Sequence, residues 1–272
     1  MRIARFAAAG KDPAYGIIEL EVDGGEHPET VAAITGDPLA GVPVNYTGAR
    51  HDLADIRLLA PVIPRSKIVA IGRNYADHAA EQGAPVPEEP LLFLKPNTCV
   101  IGPDEPIVRP EECRDLHHEG ELAIVIGRIC KQVPEQRVAE VVFGYTIAND
   151  VTARDWQRED DQWFRTKGCD TFCPLGPWIN THLSPAEAGH LAIETRVGED
   201  VRQRGNTSQM LRGIPELVTY ISSFATLLPG DVILTGTPAG VGPMADGDVV
   251  DGDVVSVEID GLGVLSNPVT SA

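Results

Sequence analysis

Two glutamates, Glu119 and Glu121, stand two positions apart at the head of the apolar run Leu122 to Ile126, in the segment "HHEGELAIVIG". Side chains at i and i+2 of a β-strand project to the same face, so these carboxylates can converge on one point. Like charges that close repel unless a proton or a cation lies between them. A third acid, Asp150, closes another apolar run, "VVFGYTIAND". Three carboxylates gathered at strand ends, with no thiolate required, suit a hard cation such as Mg²⁺ or Mn²⁺. Taken alone, a Glu-x-Glu pair is also what a solvated strand end looks like. His117 and His118, with Cys113 nearby, offer a zinc alternative, which the alternation of the two histidines across a strand disfavours.

Two further clusters bear chemistry. "GRNYADHAAEQG" (72–83) sets His78 and Glu81 at i and i+3, adjacent on one helical face. A carboxylate beside an imidazole orients it and raises its basicity, which makes a general base for water. A surface His–Glu pair is the plainer reading. Gly72 and Gly83 bracket the segment as the ends of a lid would be bracketed. Beyond Asp150, Arg154 and Gln157 fall at i and i+3, and Lys167 sits beside Asp170 in a glycine-containing loop. Cations here would capture a small anionic substrate. "TGTPAGVG" (235–242) can turn backbone amides and the Thr237 hydroxyl toward a carboxylate, or serve only as a glycine turn.

The elements that must position these residues are mostly strands. "SKIVAIG", "LLFLKP", "ELAIVIG", "GYTIAND", "DVILTG" and "DVVSVEIDGLGVL" read as strands. Apolar residues recur at three and four positions over 214–228, which predicts a helix with Pro215 in its first turn. "PEQRVAEVV" and "TARDWQRED" are further helix candidates. Strands in runs, without strict βαβ alternation, predict a β-rich α+β fold. Residues 1–60 read as a small N-terminal β-rich domain, with "YGIIELEV" as a strand, and residues 66–272 as the catalytic domain. "DGDVV" occurs at 246–250 and again at 251–255, a duplicated turn before the last hairpin or, less aptly, a calcium loop.

The bulk properties narrow the partners. The chain has 272 residues, 22 Lys plus Arg against 40 Asp plus Glu, and a net charge of −18. Such a surface repels nucleic acid and anionic membrane. No apolar run reaches the ~18 residues of a membrane span, and the N-terminus does not read as a signal peptide. Five cysteines without paired spacing, Cys169 and Cys173 included, predict thiols in a reducing cytoplasm.

Several stretches in this order resemble the fumarylacetoacetate hydrolase family: "GRNYADHAAE", "FLKP", "EGELAIVIG", "GYTIANDVTARDWQ", "KGCDTFCPLGPWI" and "LLPGDVILTGTPAGVG". The resemblance spans roughly residues 66–270. It implies the family's mixed β-sandwich roll, a homodimer, and a metal held by Glu119, Glu121 and Asp150. It further implies a water-activating dyad of His78 and Glu81, an active-site Lys167, and substrate contacts from Arg154, Gln157, Asp170, Thr237 and Tyr75. The expected reaction is hydrolysis of a C–C bond in a 2,4-dioxo acid such as an acylpyruvate, through a metal-chelated enolate. Decarboxylation of oxaloacetate, isomerisation of a hydroxy-dienedioate and non-catalytic ligand binding are the alternatives.

Overall fold

The strand Gly120–Ile126 is buried at every position. A strand covered on both faces reads as a continuous apolar run, and this one contributes to two cores. Leu122, Ile124 and Ile126 join one cluster of buried side chains. Ala123 and Val125, which point the other way, join a second. The chain around it, seen in a computed structural model, is described over residues 1–20, 29–241 and 248–272.

The main sheet has 12 strands. Its path runs Tyr46–Asp52, Thr30–Ile34, Ala14–Glu19, Arg2–Ala8, Cys173–Asn180, Val142–Asn149, Gly120–Ile126, Val232–Leu234, Ile68–Gly72 and Leu91–Lys95. Most neighbours are antiparallel, whereas Val232–Leu234 and Ile68–Gly72 run parallel. A second sheet of five strands carries Ala192–Val197, Val254–Ile259 and Gly263–Ser271. Its Ile193, Val257 and Leu265 pack in the same cluster as Leu122 and Ile124, together with Leu217 and Ile221 of the longest helix. The result is the expected β-rich α+β architecture, two sheets closing on a shared core.

The N-terminal strands are continuous with this frame, because Arg2 and Ile3 pair with Asn180 and Ile179. They keep their own small core of Phe6, Ile18 and Val31 against Trp178.

Three helices are shorter than the periodicity predicts, each for a visible reason. The 214–228 candidate is helical only over Ile214–Phe224. Beyond it, Leu227 exchanges backbone hydrogen bonds with Cys130 at 2.9 and 3.0 Å, so tertiary pairing takes the chain away from the helix axis. "PEQRVAEVV" forms a 3₁₀ turn over Glu135–Glu140, and Val142 already opens the next strand. "TARDWQRED" splits into the short strand Thr152–Ala153, which pairs with Leu116–His117, and the helix Arg154–Glu159. Residues 21 and 22 of the N-terminal strand candidate, the first Asp-Gly of the repeated "DGDVV", and Gly242 lie outside the described residues. The second repeat makes a turn at Gly252 and leads into Val254–Ile259.

Ile124 lies between the two sheets, fully buried. Ile124→Ala is expected to lower the unfolding free energy by about 3 kcal/mol, from lost transfer energy plus the cavity left behind. A denaturant melt checks this, and a loss below about 1 kcal/mol would contradict the placement of this strand at the centre.

Candidate metal centre and active site

Antiparallel register builds the acidic cluster. Gly120 pairs with Asn149 and Glu121 with Ala148, so the head of one strand meets the tail of its neighbour. The Asp150 N–H donates to the Glu119 carbonyl at 2.8 Å, and the Glu119 N–H to Asn149 Oδ1 at 2.9 Å. Glu119, Glu121 and Asp150 each bring a carboxylate oxygen within 4.8 Å of the others, and all three are buried. Among the described residues this is the one such group of acidic, histidine or cysteine side chains.

Three cations compensate them. Lys167 Nζ donates to Glu119 Oε2 at 2.7 Å, Asp150 Oδ2 at 2.7 Å and Thr152 Oγ1 at 2.8 Å. Lys95 Nζ donates to Asp150 Oδ1 at 2.5 Å. Arg154 pairs with Glu119, and its other nitrogen donates to Gln157 Oε1 at 2.6 Å. Burial pushes the Glu119 pKa up, but the charges of Lys167 and Arg154 outweigh it and hold the group well below the usual carboxylate range. Glu121 goes the other way: burial, reinforced by the charges of Asp150 and Glu119, lifts its pKa well above the ordinary value. It accepts from the Gly236 N–H at 2.7 Å. Like charges in one dry site thus favour the protonated form of Glu121.

These residues fit a divalent ion. All donors are oxygen, which selects hard cations. The Lys167 ammonium already stands between two of the carboxylates as a positive charge. An incoming cation competes with protonation of Glu121, whose pKa is raised.

A buried glutamine secures the opposite wall. Gln203 Oε1 accepts from the Gly120 N–H at 3.0 Å, and its Nε2 donates to Thr237 Oγ1 at 2.7 Å and Pro238 O at 2.8 Å. Thr237 Oγ1 in turn donates to Gly120 O at 2.8 Å. Thr237 therefore lines the cavity with its hydroxyl already committed to the protein. Gly240 has φ 107°, and a Cβ there would lie 2.1 Å from the Arg202 carbonyl oxygen, so only glycine fits.

His78 lies in the short helix Ala76–Glu81, its Nδ1 3.5 Å from Glu81 Oε2 and without a hydrogen-bond partner. The Glu81 carboxylate also accepts from the Gly240 N–H at 3.0 and 3.2 Å, which ties the helix to the glycine loop. His78, Glu119, Glu121, Arg154, Gln157, Lys167 and Thr237 share one cavity of about 160 Å³. Two expected substrate contacts do not line it. Asp170 is exposed, just beyond the helix that carries Lys167. Tyr75 is buried beside the cluster, where burial and the charge of Glu121 raise its pKa.

Several residues were not read from the sequence. Lys95 sits in "FLKP", which marks it only as the end of a strand; a fully buried lysine carries no local signal. Gln203 and Phe93 reach the site from strands, Arg73 from the turn after Ile68–Gly72, and Trp163 from the start of a short helix. The zinc alternative is unsupported: His117 Nε2 pairs with Asp115 at 2.8 Å and His118 Nδ1 with Gln203 at 3.2 Å. Burial pushes both imidazoles down to about 4, so they are neutral. Cys113 Sγ faces Asp155 at 3.7 Å.

Comparison with known proteins places this geometry. Residues 67–270 match the fumarylacetoacetate (FAA) hydrolase C-terminal family, and residues 1–61 match the family described as Rv2993c-like, N-terminal. The structure of a 5-carboxymethyl-2-hydroxymuconate delta-isomerase from Mycobacterium smegmatis is 50% identical, with a TM-score of 0.87 over 100% of both chains. A mitochondrial oxaloacetate tautomerase of Xenopus laevis is 47% identical over 220 residues, 79% of this chain and 69% of that protein. A maleylpyruvate hydrolase from Sphingobium sp. SYK-6, solved with manganese(II) and pyruvate, is 33% identical, with a TM-score of 0.77 over 100% of both chains. By its motifs, its fold and these matches, the chain belongs to the fumarylacetoacetate hydrolase family.

Proposed function

We propose that this chain is a Mg²⁺- or Mn²⁺-dependent enzyme that hydrolyses the C–C bond of a 2,4-dioxo acid. The observation that carries the reading is the shared cavity, in which an acidic cluster fit for a divalent ion meets a buried histidine–carboxylate pair. The solved maleylpyruvate hydrolase with manganese and pyruvate supports the same head group.

Glu119, Glu121 and Asp150 would hold the ion, which would supply Lewis acidity to the 2-oxo acid head. The protein supplies the rest. With the Nδ1 proton of His78 turned toward Glu81, Nε2 is left to accept a proton from water. The hydroxide adds to the distal carbonyl carbon, C4. Lys167 is fully committed to Glu119, Asp150 and Thr152 here. Once those carboxylates are engaged elsewhere, its ammonium becomes a donor for the C4 oxyanion. The C3–C4 bond then breaks with its electron pair on C3. Return of the proton from His78 to C3 gives a 2-oxo acid and a carboxylic acid. Arg154, positioned by Gln157, holds the anionic head.

A second reading uses the same head group without attacking water. The 47% identical oxaloacetate tautomerase and the 50% identical isomerase favour proton transfer at C3 of a 2-oxo diacid. There His78 moves the proton between carbon and solvent.

Fumarylpyruvate, acetylpyruvate and oxaloacetate, each with Mn²⁺ and with EDTA, separate the two. Two acids as products identify the hydrolase, and an isomer alone identifies the second reading. His78→Ala is expected to lower kcat for hydrolysis by roughly 10²- to 10⁴-fold with a small change in KM; wild-type hydrolysis in this variant would contradict the dyad. Metal binding gives an independent check. The Glu121 pKa is raised, so the group is protonated below that pKa and competes with the ion. Mn²⁺ affinity should therefore rise with pH, with a proton released on binding, and Glu121→Gln should weaken binding and flatten the slope. Calorimetry in buffers of different ionisation enthalpy measures both, and a pH-independent affinity would be the opposing result.

A further inference from the structure

We propose that Arg73 reads a second carboxylate on the substrate, at the end remote from the 2-oxo acid head, and that Trp163 holds it ready. The inference rests on the proposed 2-oxo acid chemistry and names the substrate class more closely: a dicarboxylate with a planar or apolar middle.

Arg73 lines the same cavity as Glu119, Glu121 and Lys167. The other cations of that cavity are engaged: Lys167 and Arg154 by the acidic cluster, and Arg158 by Asp115 at 2.7 Å. Among the described residues Arg73 has no carboxylate partner. Its guanidinium carbon stands 5.8 Å from the centre of the Trp163 ring. Stacking on an indole fixes a guanidinium plane and leaves its N–H edge open for a bidentate carboxylate. An unpaired cation in a cleft is a selective device on a chain whose net charge is −18 and whose surface at large repels anions.

The local backbone is arranged around this pair. Arg73 has φ 56°, in the left-handed region. Non-glycine residues enter it at a cost and cluster at ligand sites. The preceding Gly72 has no Cβ, and one placed there would lie 2.6 Å from Trp163 Cζ3. Glycine thus lets the indole lie against the strand end just before the arginine. Trp163 meets Phe93 edge-on, with centroids 5.4 Å apart at 71°. The Phe93 ring lies 5.0 Å from Lys167 Nζ. An aromatic wall therefore runs from the free guanidinium to the lysine of the acidic cluster, which fits an unsaturated chain between two carboxylates.

The test compares two acids that differ only at the tail. Dissociation constants of Mn²⁺-loaded protein for 2-oxoglutarate and for 2-oxopentanoate are measured by calorimetry, for the native chain, Arg73→Gln and Arg73→Lys. The native chain is expected to favour 2-oxoglutarate by roughly 10- to 100-fold, the usual scale for one charge-assisted pair. Arg73→Gln should abolish the preference, and Arg73→Lys, which keeps the charge without the fork, should retain part of it. Equal native affinities, a preference that survives in Arg73→Gln, or failure of both acids to bind would overturn the inference. Hydrolysis assays run beside it keep the two claims apart: a tail preference without any C–C cleavage rejects the hydrolase and keeps the dicarboxylate subsite.

Discussion

Three buried carboxylates held within one small space set the terms for the rest of this structure. A carboxylate taken out of water is costly, and three together repel one another. The fold meets that cost with two lysines, an arginine and a backbone amide, and Glu121 is the member whose raised pKa favours protonation. Each comes from a different part of the chain: Lys95 from a strand at the far edge of the path, Arg154 and Lys167 from short helices after Asp150, and the amide from the Gly236 loop. With Glu121 ionised, three cations face three carboxylates, so a divalent ion would add positive charge for an anionic substrate to neutralise. The site is thereby biased toward acids before any shape is considered.

The sheet register makes this arrangement possible and explains why parts of it are readable from the sequence. Glu119, Glu121 and Asp150 stand where long apolar runs begin or end; strand periodicity puts the two glutamates on one side, and antiparallel pairing brings Asp150 to them. His78 and Glu81 follow from helical spacing in the same way. The remaining parts depend on which strand neighbours which. Nothing local in "FLKP" announces that Lys95 reaches Asp150, and nothing in "VRQRGN" announces that Gln203 joins Gly120 to Thr237. Asp170 shows the converse: adjacent to Lys167 in sequence, it is turned to solvent once the short helix ends at Gly168. The helix 214–224 stops early for the same kind of reason, a long-range pairing with Cys130 that no periodicity contains.

The relatives described above are named for isomerisation, tautomerisation and hydrolysis, and on the proposed reading one head-group site serves all three. On that reading each reaction passes through a 2-oxo acid, or its enol form, whose C3 can hold negative charge. What differs is whether water reaches a second carbonyl and what the far end of the cavity accepts. On the proposed reading the water side is set by His78, whose helix is pinned to Gly240 through Glu81. On the same reading the far end is set by the aromatic wall of Phe93 and Trp163. The groups proposed to set chemistry and specificity thus lie on different elements, a short helix for His78 and a strand and a helix start for Phe93 and Trp163.

The central claim, that the three carboxylates hold a divalent ion in exchange for a lysine contact and a proton, is tested most directly by anomalous diffraction from crystals soaked in Mn²⁺. The account predicts a single strong anomalous peak bonded to Glu119, Glu121 and Asp150 at about 2.1–2.3 Å, the usual range for oxygen ligands of such ions, with Lys167 Nζ drawn away from at least one of its two carboxylates. A peak elsewhere, or full Mn²⁺ occupancy with both Lys167 ion pairs retained and Glu121 outside the coordination sphere, would contradict it.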